Sequence, residues 1–328
     1  MLYDRQGEQT NQVSISDSEQ REFDNSGQAK TISHIEWDSR GEKIAIKCKN
    51  SSTISIWNTS TNEVYAVDIG VKHNASFITW HLEKPILAIG TDKGSLVLYN
   101  DDRKQKVVLV GYHSKALTCS AWNDEGYLAL GSSDNQVSIM RPKAGTEEGE
   151  DTQLNKMALK GEPIAIDFAP VSKKEQASSP GVVRVSINVN RRSMMLLDIK
   201  KEEGKRTTSV PQHQEIQLEE NYGRILVHSW YREQYIVAGT DTGYIVIIGT
   251  EMGQSAKHVH PFRFFRDPIA DLSVSDTCSL EVPHHAQTRK EGIPDNAGEQ
   301  SKSVLACCGS KNVLILDITK PSAAVEIG

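Results

Sequence analysis

Histidine and cysteine are the side chains best suited to hold a metal or activate a nucleophile, and the 328-residue chain contains ten histidines and five cysteines. His258 and His260 flank Val259, so on a strand both imidazoles share one face and could supply two of the four ligands of a closed zinc site. His284-His285 could add more, but no third ligand stands in register, and these pairs read as surface or partner-facing histidines. Cys307 and Cys308 are neighbours in a predicted strand; their thiols leave opposite faces and suit packing rather than joint chelation. With Cys48, Cys119 and Cys278 they make an odd count without C-x-x-C spacing, which argues against a disulfide framework and for a reducing, intracellular compartment. There is no G-x-x-x-x-G-K-[ST] phosphate loop, no G-x-S-x-G nucleophile elbow and no H-E-x-x-H zinc helix. The sequence therefore predicts no catalytic, cofactor-binding or metal-binding residue, no cofactor, and no enzyme.

Charge and hydropathy narrow the partners. Lys and Arg number 37 against 43 Asp and Glu, a net of −6 with both signs intermixed along the chain, so neither nucleic acid nor an anionic membrane surface is expected. The longest apolar runs, Val107–Val110 and Ile245–Ile248, are far below the ~18 residues of a membrane span. Only 38% of residues are hydrophobic, which predicts long exposed insertions beside a real core. Gly145–Asp151, rich in Glu, reads as a solvated acidic loop; Lys200-Lys201 and Lys205-Arg206, interrupted by Glu202 and Glu203, read as another solvated loop. Asn50-Ser-Ser52 and Asn74-Ala-Ser76 match glycosylation acceptors, a short motif that matters only in a secretory protein.

What positions these residues is a repeat. Short runs of Ile, Val, Leu and Thr are punctuated by Gly, Asp and Asn, as strands and turns are. Ile35-Glu-Trp37, Ile44-Ala-Ile46 and Ile54-Ser-Ile-Trp57 form one set, and Phe77-Ile-Thr-Trp80, Ile86–Gly90 and Leu96–Asn100 the next. Leu117–Trp122, Tyr127–Gly131 and Val137–Met140 make a third; Ile225–Trp230, Tyr235–Gly239 and Tyr244–Ile248 make another. Trp37 to Trp80 is 43 residues and Trp80 to Trp122 is 42, within the ~40–45 of a four-stranded propeller blade. Two further sets, beginning at Ile164 and Ile269, are stretched by insertions. Trp37, Trp80, Trp122, Phe168 and Trp230 recur near the end of each first strand and are expected to be large anchors between blades.

The expected fold is an all-β, seven-bladed propeller with an incomplete first blade. Residues 1–30 read as the remnant of that blade and a linker, because Leu2-Tyr3-Asp4 matches the close of a third strand. Blades then follow at 31–73, 74–114, 115–158, 159–220, 221–264 and 265–328, the last with a disordered insertion at 276–303. An incomplete blade leaves sheet edges open, so the chain is expected to be a truncated piece of a longer protein and aggregation-prone on its own.

The pattern resembles a WD-repeat propeller. Trp37-Asp-Ser-Arg-Gly41 resembles the family's F-S-P-D-G turn, and the closing Trp-Asp pair appears as Trp57-Asn58, Tyr99-Asn100, Leu197-Asp198 and Leu316-Asp317. It is lost at Met140-Arg141 and Ile248-Gly249, and the Gly-His element survives only as Gly111-Tyr-His113. The order of Ile54–Asn62, Phe77–Trp80, Leu87–Asn100, Leu117–Asn123, Tyr127–Gly131, Tyr222–Ile225 and Trp230-Tyr231 is similar to the amino-terminal propeller of the WD repeat-containing protein 19 type of subunit in intraflagellar transport complex A.

That resemblance implies a non-enzymatic scaffold or adaptor that supports retrograde transport and cargo entry in cilia or flagella, located there, at the ciliary base and in the cytoplasm. Its implied partners are the other subunits of that complex and ciliary cargo or cargo adaptors, with no nucleic acid and no direct membrane insertion. The alternatives are another coat-like trafficking scaffold or a substrate receptor of a ubiquitin ligase. The receptor role usually needs an Arg shortly after the Trp-Asp pair, and here Thr59, Ser60 and Thr61 follow Trp57-Asn58.

Overall fold

Alternating β-branched runs separated by Gly, Asn and Asp turns produce antiparallel meanders throughout this computed structural model, which describes residues 2–3, 9–11, 31–70, 72–142, 152–170, 181–200, 212–232, 234–250, 259–275 and 303–327. A two-stranded sheet pairs β1 (Leu2–Tyr3) with β2 (Gln9–Asn11). The first four-stranded sheet is β3 (Ile32–Trp37), β4 (Lys43–Cys48), β5 (Thr53–Asn58) and β6 (Val64–Asp68). The second is β7 (Ala75–Trp80), β8 (Ile86–Thr91), β9 (Leu96–Asn100) and β10 (Gln105–Leu109); the third is β11 (Leu117–Trp122), β12 (Leu128–Ser132), β13 (Gln136–Arg141) and β14 (Thr152–Ala158). The fourth comprises β15 (Pro163–Phe168), β16 (Val182–Val189), β17 (Ser193–Lys200) and β18 (Gln212–Gln217), and the fifth β19 (Ile225–Tyr231), β20 (Tyr235–Thr240), β21 (Tyr244–Gly249) and β22 (Val259–Arg263). The sixth is β23 (Asp271–Ser275), β24 (Val304–Cys308), β25 (Val313–Asp317) and β26 (Val325–Glu326). In every sheet the spatial order is the sequence order.

The first strand of the first five sheets carries a register shift near its start, at Ile32/His34, Ala75/Phe77, Leu117/Cys119, Pro163/Ala165 and Ile225/Val227. Such a bulge bends the strand and brings its next side chain onto the facing residue. That facing residue is Gly90 opposite Phe77, where a Cβ would lie 2.3 Å from the phenyl ring, and Gly131 opposite Cys119, where it would lie 2.5 Å from Sγ. Only glycine fits under the bulged side chain there.

The described residues fall into two compact units. One draws on Met1–Phe168, Gly181–Asn190 and Leu197–Gln212, the other on Ala169–Pro180, Arg191–Leu196 and His213–Gly328. In the first unit one cluster joins Ala45, Ile54, Ile56 and Ile69 to Ile78, Trp80, Leu87 and Ile89, and a second joins Phe77, Ile86, Leu96 and Leu98 to Leu117, Trp122, Leu128 and Met140. The second sheet therefore buries both faces, as a sheet stacked between neighbours must. In the second unit Met194, Leu196 and Ile216 pack with Trp230, Ile236 and Val246, while Tyr231, Val237 and Ile245 pack with Leu305 and Leu316. Tyr231 is fully buried and its hydroxyl donates to Ile318 O at 2.6 Å.

Trp37 differs in burial from the other four aromatics at its place in the repeat. Trp80, Trp122, Phe168 and Trp230 are all buried, whereas Trp37 is 45% exposed, beside exposed Ile32 and Ile35 on β3. On β3 it is Glu36 that faces the second sheet, its carboxylate accepting from Thr79 Oγ1 at 3.1 Å and Trp80 N at 3.0 Å. Ile35 and Trp37, adjacent along the strand, necessarily face the other way. No described sheet covers that face at β3.

Candidate interaction surface

Successive strands of a meander run in opposite directions, so alternate connections gather at opposite ends of a sheet. At one end of the first unit lie the β3–β4, β5–β6, β7–β8, β9–β10 and β11–β12 turns. Several of their charges are paired. Asp101 is 1% exposed, accepts from Lys104 Nζ at 2.8 Å and from Lys43 Nζ, and is bonded by the Tyr65 hydroxyl. Burial by itself would raise the Asp101 pKa, but the hydrogen bonds from Lys104, Lys43 and Tyr65 more than offset it and hold the carboxyl below its usual range. Lys104 also sits 3.9 Å from the Tyr65 ring centroid, and Arg40 pairs with Asp102 at 3.4 Å.

At the same end His81, buried, accepts from the backbone N–H groups of Glu83 at 3.0 Å and Lys84 at 3.2 Å through Nδ1. Its ring lies 4.7 Å from that of Trp122, and burial pulls its pKa down to about 4, so it is neutral at pH 7.

At the opposite end lie the β4–β5, β8–β9 and β12–β13 turns and the connections between sheets. One polar trio is buried there. His113 meets Asp134 at 3.2 Å through Nδ1 and Ser138 Oγ at 2.8 Å through Nε2, while Asp134 also accepts from Ser114 N at 2.9 Å and Gln136 N at 3.2 Å. Burial lowers the His113 pKa, with Asp134 opposing it only in part. The geometry fits a structural clasp: the carboxylate is saturated by turn donors and the imidazole bridges to a second strand. Sequence reading noticed His113 but neither Asp134 nor Ser138 as its partners. Their offset from the left-handed turn residue Asn135 is the signal that identifies them.

Among the described residues the histidine and cysteine candidates are not assembled into a site. His260 lies on β22, half-buried; His258, His284 and His285 lie outside the described residues, as do Cys278, the acidic loop 145–151, Lys201, Lys205, Arg206, Asp4 and insertion residues 276–302. Among the described residues no group of three or more His, Cys, Asp or Glu side chains could hold a metal ion. Cys307 is buried and Cys308 half-buried on β24, and burial raises the Cys307 thiol to about 12. No described helix is long and apolar enough to cross a membrane.

With this geometry in view, the chain can be set beside known proteins. A chain in the crystal structure of the mitotic checkpoint complex superposes with a TM-score of 0.58 at 13% identity, covering 90% of this chain and 78% of that one, which shows the fold alone. Human WD repeat-containing protein 19 is 26% identical over 74% of this chain and 17% of its own length; the mouse protein is 26% identical over 84% and 18%. WD repeat-containing protein dyf-2 of Caenorhabditis elegans is 27% identical over 74% of this chain and 16% of its own length. The chain thus spans less than a fifth of each of these relatives. Residues 1–288 match the family described as the WDR19 first beta-propeller, and the chain, an all-β WD-repeat propeller built of four-stranded sheets, belongs to that family.

Proposed function

We propose that the chain is a non-enzymatic scaffold and adaptor propeller of intraflagellar transport complex A, docking other subunits of that complex and ciliary cargo or cargo adaptors, and so supporting retrograde transport and cargo entry in cilia or flagella. The observation that carries this reading is the match of residues 1–288 to the WDR19 first propeller. In this reading the four-stranded sheets are the blades of one propeller, Trp80, Trp122, Phe168 and Trp230 anchor neighbouring blades, and the protein works at the ciliary base, in the cytoplasm and along the cilium. Function then lies in binding geometry: a rigid β framework presents its turns, and modest contacts are multiplied by assembly with other subunits.

The test is affinity purification of the tagged protein from ciliated or flagellated cells, with mass spectrometry. Near-equal recovery of the other complex A subunits is the expected result. Recovery of cullin-ligase components without them would overturn it.

A further inference from the structure

The fold sorts charges that the sequence order intermixes. At the end holding the β4–β5, β8–β9 and β12–β13 turns, Lys49, Lys72, Lys93, Lys115 and Lys160 are all exposed. Backbone hydrogen bonds make their loops one continuous belt: Ala75 N to Ser51 O at 2.9 Å, Asp92 N to Asn74 O at 3.0 Å, Ser133 N to Ala116 O at 2.9 Å and Leu159 N to Asn135 O at 2.7 Å. The Gly94 turn lies directly against the carbonyls of His113 and Lys115. Lys49, Lys72, Lys93 and Lys115 have no ion-pair partner among the described residues, in contrast to Lys43, Lys104 and Arg40 at the other end. The carboxylates within the belt are engaged or recessed: Asp134 holds His113, Asp68 accepts from Gly70 N at 2.8 Å, and Asp92 and Glu162 are half-buried.

We propose that this lysine belt binds an acidic, extended segment of a partner protein, whose Asp or Glu side chains pair with successive lysines. The ammonium groups of Lys49, Lys72, Lys93 and Lys115, without ion-pair partners among the described residues, meet separate carboxylates from a rigid backbone without reorganising the site. The interleaved Asp92, Asp134 and Glu162 favour discrete acidic side chains over a continuous anionic membrane, which would bring phosphate charge against them as well. The inference deepens the docking reading above by naming the partner chemistry of one face.

The probe is a fluorescein-labelled peptide of alternating Glu and Ser, titrated with the intact protein by fluorescence anisotropy, beside a Lys-Ser peptide and vesicles of phosphatidylserine and phosphatidylcholine. The Glu-Ser peptide should bind, more weakly as salt rises. Lys72→Glu with Lys93→Glu should weaken it about tenfold, since each reversal replaces attraction by repulsion, while Lys84→Glu with Arg103→Glu at the other end should change it by less than about twofold. Lys72→Gln with Lys93→Gln should give a smaller loss in the same direction. No binding of the Glu-Ser peptide, equal weakening by both reversed pairs, or binding of vesicles without the peptide would each overturn the proposal. Peptide binding that persists while complex A subunits fail to co-purify would sink the assembly reading and leave this one standing.

Discussion

The turn between β8 and β9 and the turn between β12 and β13 share a backbone and differ in how it is fastened. Gly94 and Asn135 occupy the same left-handed position, with φ of +82° and +61°, and their N–H groups bond Thr91 O at 3.3 Å and Ser132 O at 3.0 Å. Counted from those residues, Lys93 stands where Asp134 stands and Val97 where Ser138 stands. In the second sheet the turn is closed by Thr91 Oγ1, which accepts from Ser95 N at 3.0 Å. In the third it is closed by the Asp134 carboxylate, which also reaches back to His113 and Ser114. The fifth sheet follows the second, with Thr240 Oγ1 accepting from Tyr244 N at 3.1 Å and Val246 in the serine position. The turn itself needs only one oxygen acceptor; the carboxylate adds a tie to the incoming connection. In the second sheet, where the tie is absent, its position carries the exposed Lys93, whereas in the fifth sheet Thr242 stands there and donates to Tyr222 O at 2.5 Å.

Three substitutions separate turn geometry from the tie. The largest effect belongs to Gly94→Ala, because φ is positive and the new Cβ would lie 2.5 Å from His113 O and 2.6 Å from Lys115 O; we expect a loss of about 4 kcal/mol in denaturant unfolding. Asn135→Gly, at the same turn position, should change stability by less than about 1 kcal/mol. Asp134→Ala should cost about 3 kcal/mol, since it strands Nδ1 of the buried His113 together with the N–H groups of Ser114 and Gln136.

The same tie sets a pH dependence. His113 titrates below its ordinary value in the fold, so its stabilising contribution is complete above about pH 6.5 and is lost as pH falls towards the lowered folded value. His81, held at about 4, adds a loss of the same sign, up to about 3 kcal/mol between about pH 6.5 and 4. Thermal melts across this range should show the midpoint falling with acid. His81→Gln should flatten the curve, and Asp134→Ala should carry the His113 part to lower pH by removing the one group that raises its pKa. Thr91→Val, which removes the hydroxyl closure of the second-sheet turn, should cost about 1 kcal/mol. Lys93→Ala should stay within about 0.5 kcal/mol, the smallest effect of the set; a loss comparable to that of Asp134→Ala would show that Lys93 too is part of a tie.

The strands were legible because period-two runs and Gly or Asn turns are local signals, and the spacing from Trp37 to Trp80 to Trp122 is the spacing of whole sheets. Burial of the aromatic positions was legible only where a described sheet lies against them. Trp37 holds the same place in the repeat as the others but sits on the β3 face without such cover, and no periodicity encodes that. Nothing in the sequence singles out Asp101; its partners Lys43 and Tyr65 come from the neighbouring sheet, beyond the reach of local pattern. The lysine belt was hidden for a topological reason: reading along the chain mixes connections from both ends, and only tallying alternate connections separates them.

The consecutive strand order of each sheet also governs how the chain folds. Every strand pairs with its sequence neighbours, so a sheet can zip soon after its last strand leaves the ribosome, and loop-closure entropy is spent in small steps. The Tyr231 hydroxyl is an exception. Its acceptor, Ile318 O, lies 87 residues downstream, so β19 carries a buried hydroxyl without that acceptor until β25 and the segment after it have been made. That bond closes only after the first four four-stranded sheets can have formed, and Tyr231→Phe should leave those sheets forming at their own rate while speeding unfolding of the fifth and sixth.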